Sequence, residues 1–270
     1  MSSALDAIAL GWAFSALLFL LSLWPPGGVP HRRHRHAAAA GGLILTGTAL
    51  YAADVVNLPE IVGALGIGGA IGVMLGRELP AHRLPALLTA LAGLVGLAAI
   101  AVAQAAWLNP YAFGLIDGSG DRIAPRAAII VGVAILMGAM TCAGGVAALL
   151  GPPTRLGRSI LPPLAVLAIA GLFLAAFVAL LAPPLLWAGM AVAALSAFLL
   201  ARRAFDAGDT ALLALTGAMA GWSVAATAFL LENIGLVVAG GLAGSAGSVM
   251  AMRLYHAASG KGLADAQRHP

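Results

Sequence analysis

Residues 210–252 read TALLALTGAMAGWSVAATAFLLENIGLVVAGGLAGSAGSVMAM, and Glu232 is the one charged side chain among them. A membrane-spanning helix needs about 20 mainly apolar residues. The stretch therefore holds two spans, 210–231 and 233–252, which meet at Glu232-Asn233 with almost no loop. Backbone N–H and C=O groups in hydrocarbon have no water to bond, so a spanning segment satisfies them internally or in a closed barrel. The stretch lacks the apolar/polar alternation of a barrel strand. Two helices in a tight hairpin is the reading that remains.

Seven more apolar segments lie upstream, at 4–24, 37–53, 60–76, 85–107, 127–150, 161–182 and 184–201. Turn chemistry separates them: Pro25-Pro26-Gly27-Gly28, Asn57-Leu58-Pro59, Gly151-Pro152-Pro153, Pro162-Pro163 and Pro183-Pro184. The expected fold is all-α, a polytopic transmembrane bundle of nine helices over residues 1–255 with a short cytoplasmic tail at 256–270. The first segment has no basic region ahead of it and carries Asp6, so it reads as a retained span rather than a cleaved signal.

Bulk numbers agree. Of 270 residues, 61% are hydrophobic and 9% charged, and the mean hydropathy is +1.01. Soluble domains carry about 25% charged residues, so an ordinary globular enzyme, a disordered tail and a nucleic-acid-binding domain are excluded. The single cysteine, Cys142, leaves no intrachain disulfide and no Cys-based metal site. Thirty-five glycines and few aromatics suit helices whose backbones approach closely.

The basic residues orient the chain. With the N-terminus outside, one face receives Arg32, Arg33, Arg35, Arg77, Arg83, Arg155, Arg158, Arg202, Arg203, Arg253, Lys261 and Arg268, and the other only Arg122 and Arg126. Cytoplasmic loops collect Lys and Arg. The expected topology is N-terminus out and C-terminus in, with 108–126 as the longest extracytoplasmic loop.

Ionisable residues at mid-membrane depth are costly and mark function. Here all six histidines fall in cytoplasmic loops or the tail, and Asp54, Glu60 and Glu232 lie near extracytoplasmic helix ends. Gln104 is the only amide clearly within a span. Glu232 and its neighbour Asn233 are candidate proton-path or coupling residues, weighed against the plainer reading of an interfacial carboxylate in water. The cluster His31-Arg-Arg-His-Arg-His36 reads as a topology determinant in preference to a metal site, since no second ligand cluster accompanies it. No catalytic, metal or cofactor-binding residue is expected.

Two glycine runs, Gly63-Ala-Leu-Gly-Ile-Gly-Gly-Ala-Ile-Gly72 and Gly240-Gly-Leu-Ala-Gly-Ser-Ala-Gly247, invite a nucleotide-loop reading. A dinucleotide loop needs a preceding strand and a water-exposed helix start. These runs lie inside apolar spans instead. Gly68, Gly72 and Gly76, like Gly240, Gly244 and Ser248, are small residues at four-residue spacing, the pattern of close helix contacts. Gly72→Leu is therefore expected to disturb assembly more than Leu75→Ile.

Gly68-Gly-Ala-Ile-Gly-Val-Met-Leu-Gly76, a short basic loop and Leu94-Val-Gly-Leu-Ala-Ala99 resemble the membrane domain of the proton-translocating NAD(P) transhydrogenase beta subunit. Gly138-Ala-Met-Thr-Cys-Ala-Gly144, Gly221-Trp222 and Phe229-Leu-Leu-Glu-Asn233 through Gly247 follow in the family's order. The resemblance covers 60–255 and implies nine helices in a multi-pass protein of the bacterial inner membrane. It implies a part in coupling NADH/NADP hydride transfer to proton movement. It also implies alpha-type and NADP(H)-binding partner subunits, which would bind NAD and NADP while this chain binds neither, and dimerisation. The family's beta subunit continues into an NADP(H)-binding domain where this sequence stops at Pro270, so the expected arrangement is a split enzyme. Positions where the family carries polar proton-path groups hold Ala92, Gly217 and Ile130 here, while Asp209 lies one position from the family's cytoplasmic acid. The alternative is a non-catalytic paralogue acting as a scaffold or accessory subunit of another membrane complex.

Overall fold

The computed structural model describes residues 58–78, 80, 83–116, 123–151, 161–204 and 208–268, and parts of 10–48. Seven continuous helices run through them: α1 (Leu58–Glu78), α2 (Leu84–Leu108), α3 (Pro125–Leu149), α4 (Leu161–Leu180), α5 (Pro183–Ala204), α6 (Asp209–Leu230) and α7 (Ile234–Arg268). Helical residues also occur at 10–15 and 40–42, so the described residues accommodate nine helices. Six of the seven continuous helices are long and apolar enough to cross a membrane, and α1 holds a shorter apolar stretch at Val62–Leu75. The basic cluster at 31–36 lies outside the described residues.

Proline sets where helices begin. Pro59, Pro85, Pro125, Pro162 and Pro183 all stand at the first or second residue of a helix. There the missing N–H is one that no intrahelical carbonyl would accept, and the fixed φ already suits the helix. Two of the turns between helices are short. Leu181 adopts φ +50° before α5, and Glu232 adopts φ +50° in the three residues between α6 and α7. α7 runs past the expected span at 233–252 and continues to Arg268. Its final stretch, SGKGLADAQR, holds two alanines and two glycines.

The chain divides into two compact units, Met1–Leu84 with Asn233–Ala239, and Pro85–Glu232 with Gly240–Pro270. In the larger unit α3 is the hub, packed against α4, α5 and α6, with 15 of its residues buried. Val131, Ile135, Phe177 and Leu186 form the bulky part of the core, and alanines fill most of the rest. The Trp107 ring meets Phe177 at 5.1 Å between centroids, tilted by 58°. In lipid, helices gain nothing by hiding apolar surface from one another, so contact of this kind supplies the adhesion. Polar staples add to it: the Ser196 hydroxyl on α5 donates to Pro163 O on α4 at 2.7 Å. Arg202, whose guanidinium lies 5.7 Å from the Phe198 ring centre, donates to Gly151 O at the end of α3.

In the smaller unit, the buried Ser15 hydroxyl donates to Gly42 O at 2.9 Å, tying two helical stretches together. α1 presents Val62, Ile67, Ile71, Val73 and Met74 as exposed side chains.

Candidate functional site

Two seams of small residues shape the larger unit. On α2, Thr89, Gly93, Gly96, Ala99, Ala103 and Ala106 are buried, a stripe at three- and four-residue spacing. A Cβ added at Gly93 would stand 3.0 Å from Gly145 Cα, and one at Gly96 would stand 2.6 Å from Cys142 N and press on Gly138 O. The α2–α3 seam is thus closed by backbone against backbone. The second seam joins α6 to α7 in antiparallel register. A Cβ at Gly240 would meet Ala225 N at 2.5 Å, one at Gly244 the Trp222 ring at 2.7 Å, and one at Gly247 Ala218 Cα at 2.9 Å. Trp222 lies over Gly244 and donates its indole N–H to Ser248 Oγ at 3.2 Å.

The third feature is a line of hydroxyls. Thr216, Ser223 and Thr227 are buried on α6, at offsets of seven and four residues that keep them on one face. The Thr216 methyl would lie 3.0 Å from a Cβ at Gly144, which places this end of the line against α3. Thr216 and Thr227 donate to carbonyls four residues back, at 2.9 and 2.8 Å, as threonines in apolar helices do. Ser223 Oγ and Gln104 Oε1 are buried with no partner among the described residues.

Beside this line, α3 and α6 border an apolar groove of about 540 Å³ lined by Ile130, Val133, Met137, Trp222, Ala226 and Phe229. Ile130 is thus a groove-lining residue. Gly217 is half-buried, with open space where a side chain would start. Ala92 is half-buried beside the Gly93 contact.

The remaining residues singled out from the sequence fall in different places. Asp209 is exposed as the first residue of α6, where the helix dipole favours a carboxylate. Glu232 is exposed in the α6–α7 turn, but Asn233 is buried. Asn233 Oδ1 accepts the Leu236 N–H at 3.0 Å as the cap of α7. Gly68 and Gly72 have no described atom within 4 Å of a Cβ built on them, and the surroundings of Gly76 lie outside the described residues. The hydroxyl line escaped the reading by charge and motif, because its members are neutral and scattered; their seven-plus-four spacing on a single span was the signal available. Among the described residues, no three His, Cys, Asp or Glu side chains come together.

What this scaffold is similar to follows from its sequence as a whole. The family profile described as NAD(P) transhydrogenase beta subunit matches residues 9–260. The NAD(P) transhydrogenase subunit beta of Rhodospirillum rubrum is 30% identical over 244 residues, 87% of this chain and 52% of that protein. A second relative from the same species matches to the same extent. The chain therefore spans about half the length of the curated relatives it matches. The profile reaches from the helical residues at 10–15 into α7 and takes in both small-residue seams, and on that extent the chain belongs to the NAD(P) transhydrogenase beta-subunit family.

Proposed function

We propose that this chain is the membrane part of a proton-translocating NAD(P) transhydrogenase. It moves protons in step with hydride transfer between NADH and NADP on nucleotide-binding domains that lie outside these 270 residues. The observation that carries this reading is the family match across residues 9–260. The chain sits in a bacterial inner membrane with its N-terminus out and its C-terminus in, as the twelve-to-two split of basic residues indicates. It pairs with alpha-type subunits and with a second copy of itself. Asp209, at the cytoplasmic start of α6, is the contact for the nucleotide-binding part, and Glu232 and Asn233 belong to the extracytoplasmic end of the proton route.

The larger unit accounts for transit without titratable groups at its centre. Hydroxyls donate and accept at once, so water held along Thr216, Ser223 and Thr227 can pass a proton by exchanging hydrogen bonds while no side chain changes charge. Ala92 and Gly217 supply no such group, and the α2–α3 seam is too tight to hold water. The route is therefore assigned to the α6 face.

Proteoliposomes holding this chain with its nucleotide-binding partners test the reading. Acidification or alkalinisation of the lumen is expected in step with NADH/NADP hydride exchange. Hydride exchange without proton movement, with every subunit present, would remove it. A C-terminal reporter active only in the periplasm would overturn the orientation.

A further inference from the structure

Asn233 stands just ahead of α7 with 1% of its surface exposed. Its Oδ1 is committed to the Leu236 N–H, which satisfies one of the donors that a helix start leaves over. That bond also fixes which end of the amide is oxygen, since a flipped amide would set N–H against N–H. Nδ2 is then buried, with two hydrogens to donate and no partner among the described residues. Leaving such a group dry is costly, because its lost bonds to water are not replaced. Ser223 and Gln104 raise the same question less sharply. A serine hydroxyl can turn to a carbonyl of its own helix, and no second bond fixes the Gln104 amide.

Acceptors gather where Asn233 enters α7. A Cβ added at Gly235 would stand 3.3 Å from Trp12 O, 3.4 Å from Asn233 Oδ1 and 3.7 Å from Ser15 Oγ. Ser15 is itself fully buried. All these residues belong to the smaller unit. Glycine at 235 leaves this ring of oxygens without a methyl group among them. A buried water makes two to four hydrogen bonds to groups that would otherwise lack them, and this place offers one amide donor and at least two oxygen acceptors.

We propose that Asn233 holds a buried water molecule at the first turn of α7. The water accepts from Nδ2–H and donates to the Trp12 carbonyl and the Ser15 hydroxyl oxygen. It is a fixed part of this polar junction whether or not Asn233 lies on a proton route.

Cryo-electron microscopy of the protein in lipid nanodiscs, at a resolution that shows ordered water, tests this directly. Density is expected about 2.7–3.2 Å from Asn233 Nδ2. Asn233→Ser keeps an oxygen that can cap α7 and removes the amide donor, so the water is expected to vanish while the helix start stays in place. Gly235→Ala, which sets a methyl among the oxygens, is expected to expel it too. A protein acceptor seated on Nδ2, an empty site in the unaltered chain, or a water unmoved in Asn233→Ser would each overturn the proposal.

Discussion

The glycine runs on α1 and α7 look alike as sequence and differ in what meets them. On α7 the run from Gly240 to Gly247 lies against α6, where Ala218, Gly221 and Ala225 leave backbone exposed to receive it. On α1, Gly63, Gly66, Gly68, Gly69 and Gly72 have no described atom within 4 Å of a Cβ, and Ile67 and Ile71 between them are exposed. Small residues at four-residue spacing permit two backbones to come close. They do not say that a second backbone is there. The reading of both runs as packing stripes rests on the same signal, and among the described residues only the α7 run has a matching stripe to pair with.

One added methyl group, placed at three positions, grades the difference. The measurement is the thermal unfolding midpoint of the purified chain in detergent. Gly240→Ala is expected to cost most, about 1–3 kcal/mol by overpacking, because the new Cβ meets backbone atoms of α6 at 2.5 and 2.8 Å that no rotamer change can move. Gly93→Ala is expected to cost less. Its Cβ would stand 3.0 Å from Gly145 Cα, and alanine's better helix propensity offsets up to about 1 kcal/mol. Gly72→Ala is expected to leave stability unchanged, or to raise it by up to about 1 kcal/mol through propensity alone. A loss at Gly72 as large as that at Gly240 would break the comparison, since it would mean that a surface within the chain covers α1. Gly72→Leu against Leu75→Ile sharpens it on another axis, read by crosslinking in native membranes. The leucine variant is expected to lower the yield of assembled complex more, and equal yields would remove an assembly role for this face.

Much of the fold was legible because hydrocarbon permits so few structures. The expected spans at 60–76, 85–107, 127–150, 161–182, 184–201 and 210–231 meet α1 to α6 within three residues at each end. Apolar length and proline position determine those limits, and both are written in the sequence. The end of α7 was not legible in the same way: hydropathy reports where a span stops, and the helix continues past that point to Arg268. The burial of Asn233 was also out of reach. Its place beside Glu232 suggested a wet turn, whereas its side chain caps a helix in the company of residues more than 200 positions earlier, Trp12 and Ser15 among them. Nothing local to 231–235 announces that meeting. The seams fall between these cases, with their spacing visible and their partners hidden.

Cys142 now has a use beyond its packing. It is the one thiol in the chain, half-buried, on the turn of α3 whose backbone N lies against Gly96 of α2. A fluorine or nitroxide tag attached to it reports from a single known position without any other residue being altered. The α2–α3 seam thus comes with its own gauge. If α3 slides or rotates against α2, the signal changes in frequency or line width from that seam alone.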